Sequence, residues 1–201
     1  MNFFLRSISY VLHPLLMPLL GAIIYFAAAP RFIPENIIKA KIIGLTILTV
    51  FVPVLLYFFL KNMGAVSSIH LDHVKQRRLP LVLQSILLIL VIKIIIDAYH
   101  YPELYFFFLG ILLSILSCIF MVLFNIKASL HMIGIGAVTM FTIALSIHFG
   151  MNLIVLISSL MIANGLVATS RLHCKAHSNL ELILGFLLGV IPQLTLVNFW
   201  L

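Results

Sequence analysis

The chain has 201 residues, 64% of them hydrophobic and 8% charged, with 12 Lys and Arg against 5 Asp and Glu for a formal net charge of +7. Its mean hydropathy is +1.27. This is the composition of a chain whose solvent is mostly lipid; it excludes a soluble globular domain, and no nucleic-acid partner is expected. The expected fold class is all-α, a polytopic bundle of six or seven transmembrane helices forming a single integral membrane domain over residues 1–201. Two cysteines, Cys118 inside an apolar run and Cys174 in a charged segment, make no spaced framework and read as free thiols.

Taken in chain order, apolar runs cover about 8–29, 42–60, 81–98, 104–124, 132–149, 152–169 and 180–201, each near the roughly 20 residues that cross a bilayer as a helix. The first follows Arg6 and ends in Ala27-Ala28-Ala29, but it is longer than the roughly 7–15 residues of a signal core, so it is expected as a retained helix despite Pro14 and Pro18. The connections are short, which leaves no room for a soluble domain. Between 132–149 and 152–169 only Gly150 and Asn152 mark a reversal, so this pair is where six spans and seven cannot be told apart, and where a re-entrant helix could sit.

If the runs alternate across the bilayer, the connections after the second, fourth and sixth emerge on one side, together with the N-terminus. Those three connections carry most of the polar chemistry: His70-Leu71-Asp72-His73-Val74-Lys75-Gln76-Arg77-Arg78-Leu79-Pro80, then Asn125-Ile126-Lys127-Ala128-Ser129-Leu130-His131, then Ser170-Arg171-Leu172-His173-Cys174-Lys175-Ala176-His177-Ser178-Asn179-Leu180-Glu181. Several cations and histidines with few acids, at a lipid–water boundary, suit a phosphate anion, because guanidinium and ammonium groups meet its oxygens with charge and forked hydrogen bonds. An amphiphilic phosphate that slides in from the bilayer is the natural ligand class. Glu181 stands four residues after His177, the helical spacing at which a carboxylate holds an imidazole. The opposite side offers less: Lys93 and Asp97 are spaced to pair, and His100 and Glu103 read as boundary residues. Arg6, Lys39, Lys41 and Lys61 read as orientation or headgroup cations. His13, beside Pro14, reads as a structural histidine, and His70, His73, His100 and His148 as interfacial ones.

The three polar segments resemble, in order, the three signature motifs of the type 2 phosphatidic acid phosphatase superfamily, membrane enzymes that hydrolyse lipid phosphates and diphosphates without metal. The third motif of that family is Ser-Arg, five residues, His, three residues, Asp; here Ser170-Arg171 is followed at the same spacing by His177 and then Glu181. The second is Pro-Ser-Gly-His, against Ala128-Ser129-Leu130-His131. The first is Lys, six residues, Arg-Pro, against Asp72 in the lysine position, Lys75, Arg77 and Arg78 between, and Leu79-Pro80 at the end. The resemblance runs over about residues 70–190, with site segments at 70–80, 125–131 and 170–181, and it implies a phosphatidic acid phosphatase type 2-like helical core in a bacterial inner (plasma) membrane.

Carried over residue by residue, it implies that His177 attacks phosphorus to give a phosphohistidine, that His131 protonates the departing oxygen, and that Glu181 orients His177. Arg171, Lys75, Arg77 and Arg78 would bind the nonbridging oxygens, with Ser129 adding a hydrogen bond. No cofactor or metal is implied, and the partners are the lipid phosphate substrate and bilayer lipids. Two further classes stay open. One is a catalytically idle relative that binds lipid phosphate or scaffolds a partner. The other is a metal-binding protein or transporter that uses the His173, His177, Glu181 stripe at i, i+4, i+8. Lys and Arg counted by side place the motif face in the cytoplasm, but without the proposed site residues the count reverses, and the resemblance leans toward a site facing away from the cytoplasm.

Overall fold

A computed structural model of the chain describes residues 2–66 and 74–201. It is helical throughout, with no strand among the described residues, and it contains seven helices long and apolar enough to cross a membrane. The chain is a multi-pass membrane protein, and among the described residues the candidate spans number seven rather than six.

The first run is not one helix. Helix α1 (Asn2–Val11) ends, His13 is extended at φ −69° and ψ 138°, Pro14–Leu16 make a 3₁₀ turn, and α2 (Met17–Ala28) follows. Pro14 causes the break: it has no N–H to continue the ladder, and its ring pushes the preceding residue out of the helical region. Within α1, Leu5, Ile8 and Ser9 are buried while Tyr10 and Val11 are exposed, an i, i+3, i+4 stripe that lies against α8.

The second span begins earlier than its apolar run, as α3 (Glu35–Thr46), passes through a π-helical stretch at Ile47–Phe51, and continues as α4 (Val52–Asn62). The widened turn lies just before Pro53, whose missing N–H and bulky ring cannot be fitted into a regular ladder. A 3₁₀ turn (Val74–Arg77) leads into α5 (Arg78–Leu90), closed by a second π-helical stretch at Val91–Ile95. The remaining spans are α6 (Pro102–Leu123), α7 (Leu130–His148), α8 (Ile154–His173) and α9 (Asn179–Leu196).

The reversal between α7 and α8 is made in five residues. Gly150 adopts φ +60°, its N–H reaches Ile147 O at 3.2 Å, and Met151 N–H reaches Ser146 O at 3.0 Å, the paired bonds of a Schellman stop. Asn152 Oδ1 then accepts from Ile154 N–H at 3.2 Å to start α8. The same stop ends α4 at Gly64, α6 at Asn125 (φ 58°) and α8 at Lys175 (φ 52°).

Helix α9 lies against α7 with almost no separation. A Cβ on Gly185 would stand 2.6 Å from Ser129 O, and one on Gly189 would stand 2.3 Å from Ile133 O. Small residues allow this backbone approach in a bundle where lipid supplies no hydrophobic drive for helix association. Aromatic packing fills the centre: Phe107, Phe108 and Phe141 are buried, and Phe107 stacks on Phe141 at 4.3 Å between ring centroids.

Candidate active site

Two cross-links tie the three polar connections together at one end of the bundle. The Arg77 guanidinium donates from Nη1 to Ala128 O at 2.9 Å, and Lys127 Nζ donates to Ala176 O at 2.8 Å. The turn before α5, the connection before α7 and the connection before α9 therefore meet, on the common side that alternation of the spans expects.

At their meeting point, His177 precedes Ser178, which caps α9 by accepting from Glu181 N–H at 3.4 Å. Ser-x-x-Glu is a capping-box sequence, yet the Glu181 carboxylate does not turn back to the cap. It accepts from His177 Nδ1 at 2.6 Å. The His177 side chain is 4% exposed and that of Glu181 is 25% exposed, so the bond is short and largely shielded from water. A carboxylate only accepts, which fixes the proton of a neutral His177 on Nδ1 and leaves Nε2 with the lone pair a nucleophile needs.

Arg171, in the last turn of α8, is buried at 6% exposure and donates from Nη1 to Ser9 Oγ at 3.3 Å. Arg77 is buried at 3%. His131, in the first turn of α7, has Nε2 at 3.0 Å from Ser9 O and packs edge-on to His13 at 5.4 Å between rings. His177, His131, Arg171, Arg77, Lys175 and His13 all line one cavity of about 810 Å³. From that polar mouth the cavity runs between helices past Tyr57 and Gln84 to Leu87 and Ile111. Ten residues of α5 separate Arg77 from Leu87, about 15 Å of helix rise, roughly half the ~30 Å hydrocarbon thickness of a bilayer.

Not every expected residue is here. Arg78 is exposed and is not part of the cavity lining; it follows Arg77 at the start of a helix, and adjacent helical residues face different ways. Ser129 is fully buried, its N–H donates to Glu181 O at 3.1 Å, and its Oγ has no hydrogen-bond partner. It is sealed under α9 at the Gly185 contact and does not line the cavity. His173 is exposed at the end of α8, and the turn at Cys174–Ser178 breaks the helix before His177. The i, i+4, i+8 stripe therefore does not form. His70, Asp72 and His73 lie outside the described residues, as does the Lys75 side chain.

The opposite end holds more chemistry than its sequence suggested. Glu103 stands in the first turn of α6, at the end of a span, but it is buried: it is 1% exposed, paired with Arg31, accepts from Tyr25 Oη at 3.0 Å, and has His148 Nε2 at 3.4 Å. Asp97 is paired with His100 and not, among the described residues, with Lys93: it accepts from His100 Nδ1 at 2.5 Å and from Tyr99 N–H at 2.8 Å. That hydrogen bond from His100, with the one from Tyr99, holds the Asp97 carboxyl below its ordinary range. Lys41 donates to Ile95 O at 2.6 Å and lies over the Tyr101 ring.

Sequence reasoning missed Ser9 and Glu103. The i, i+3, i+4 spacing of Leu5, Ile8 and Ser9 ahead of a proline was the available signal for the first; for Glu103, the rarity of acids in the chain was the only one. No family model, no curated protein and no solved structure matches this chain.

Proposed function

We propose that the protein hydrolyses a lipid phosphate or diphosphate through a phosphohistidine on His177. The observation that carries this reading is the 2.6 Å His177–Glu181 bond at the mouth of a cavity lined also by Arg171, Arg77 and His131. An oriented imidazole, two buried guanidinium groups and a second imidazole are what in-line displacement at phosphorus asks of a protein, since its catalysis lies in positioning and in balancing charge on the nonbridging oxygens.

In the first step His177 Nε2 attacks phosphorus and the bond from phosphorus to the lipid oxygen breaks. His131 gives that oxygen a proton, while Glu181 balances the charge that develops on the His177 ring. In the second step His131 takes a proton from water, whose oxygen attacks phosphorus and breaks the P–N bond. Phosphate leaves, and both histidines return to their starting forms. Arg171 and Arg77 meet the nonbridging oxygens throughout. The apolar cavity below them fits the tail of an amphiphile lying in the adjacent leaflet, and this favours a lipid over a soluble phosphate ester. A phosphatidic acid phosphatase type 2-like core and a bacterial inner membrane setting belong to the same proposal, on the motif resemblance alone.

One observation favours a second reading, a lipid-phosphate-binding relative without turnover: Leu130 stands where the resembling motif has glycine, and Ser129 Oγ is sealed away from the cavity. The experiment is phosphate release by detergent-purified protein from a panel of lipid mono- and diphosphates in excess chelator. Release that is lost in His177→Ala supports hydrolysis; binding of those lipids by folded protein with no release from any of them supports the second reading.

A further inference from the structure

Helix α1 contributes to the site as well as covering it. Its ladder stops when Leu12 N–H bonds to Ile8 O at 2.8 Å. Pro14 then turns the chain away, so the Ser9 carbonyl is one of the terminal carbonyls that a helix leaves without an internal partner. His131 Nε2 meets it at 3.0 Å. The hydroxyl of the same residue accepts from Arg171 Nη1 at 3.3 Å and shares a hydrogen bond with Ser170 Oγ at 2.7 Å. Ser170 Oγ in turn donates to Leu5 O at 2.5 Å. One residue of the N-terminal helix therefore touches a histidine of the second polar segment and both the serine and the arginine that open the third. Ser9 is 8% exposed and lines the cavity mouth.

We infer that Ser9 is a positioning residue of the site, its carbonyl orienting His131 and its hydroxyl holding Arg171 for an anion. The inference deepens the proposed function and rests on it for the role of His131. A carbonyl can only accept, so it fixes the His131 proton on Nε2 and leaves Nδ1 as the nitrogen that exchanges a proton with the leaving oxygen and with water. The hydroxyl fixes one arm of Arg171, so that less freedom is lost when the guanidinium closes on phosphate.

The full-length protein in detergent supports two measurements. The first is titration of wild type, Ser9→Ala and Ser9→Thr with orthovanadate and with inorganic phosphate. Loss of a hydrogen bond to a charged group predicts binding weaker by about tenfold or more in Ser9→Ala, with Ser9→Thr, which keeps the hydroxyl, within about twofold of wild type. Equal affinity in all three overturns the hydroxyl's role. A loss that Ser9→Thr fails to restore likewise overturns it and reduces Ser9 to a packing contact. The second needs no Ser9 variant: nitrogen NMR of labelled histidine, at a pH where the His131 ring is neutral and with its signal assigned by its absence in His131→Asn, is expected to show the Nε2-protonated tautomer. The Nδ1-protonated tautomer overturns the carbonyl's role. Wild type that binds vanadate but releases phosphate from no lipid removes the hydrolytic reading, while the vanadate comparison still decides whether Ser9 holds Arg171.

Discussion

Replacing Gly185 with alanine puts the α7–α9 contact under direct strain. The new Cβ would stand 2.6 Å from Ser129 O and 3.1 Å from both Ser129 N and the Met132 Cβ, where 3.4 Å is ordinary contact. The nearest atoms are backbone, so no side chain can swing aside; the helices must separate by about 0.8 Å at this point, which is the shortfall against 3.4 Å. Overpacking of this kind costs about 1–3 kcal/mol, and at about 2–4 °C per kcal/mol for a chain of this size the thermal midpoint falls by roughly 2–12 °C. The same shift moves Ser129 and His131, at the start of α7, against His177 and Glu181, at the start of α9. A misplacement near 1 Å at a reacting centre costs about 100-fold in rate, so phosphate release is expected to fall about 10- to 100-fold. The internal control is Gly165→Ala in α8, where an added Cβ meets nothing within 4 Å; relief of a mid-helix glycine is expected to leave stability equal or higher by about 0.5–1 kcal/mol. Thermal unfolding in one detergent, with activity measured on the same samples, compares the two. A Gly185→Ala protein as stable and as active as Gly165→Ala would refute the close backbone approach and the coupling of that contact to the site.

Glu181→Gln keeps the side chain's size but cannot balance an imidazolium, and lipid phosphatase kcat is expected to drop about 100-fold or more, with anion affinity changed far less; equal losses in both would assign Glu181 to folding. Arg31→Met leaves the Glu103 carboxylate buried with only Tyr25 and His148. With the Arg31 side chain 38% exposed, the cost is discounted from that of a fully buried pair to about 1–3 kcal/mol, read by thermal unfolding, while activity per folded molecule is unchanged because the cluster lies at the far end. Lys175→Gly removes a side chain from φ 52° and is expected to stabilise the fold by about 1 kcal/mol, yet to raise KM for an anionic lipid because a cavity-lining cation is lost.

The spans were legible because apolar length is a one-dimensional signal, and the emergence of three connections on one side followed from parity; that they meet comes from the Arg77–Ala128 and Lys127–Ala176 bonds. The His177–Glu181 pair was legible for a different reason: helical spacing placed the two side chains together, although His177 sits just before the helix and the pair forms across the cap. What the sequence concealed depends on backbone breaks and on burial. Pro14 was visible, but that it frees the Ser9 carbonyl for His131, 122 residues away, depends on tertiary packing. Glu103 looked like a boundary acid because a lone carboxylate beside a proline usually is one; its partners Arg31, Tyr25 and His148 come from three other spans or connections. Ser129 kept its place in the motif and lost its access, because glycine at 185 let α9 close over it.

The most direct test of the central claim is to trap the covalent intermediate. Protein turning over a phosphorus-labelled lipid phosphate, quenched in alkali where phosphohistidine survives, is digested and the labelled peptide is identified by mass spectrometry. The account predicts label on His177 in the wild type and none in His177→Ala. Steady phosphate release with no label on protein, or label on any other residue, would contradict it.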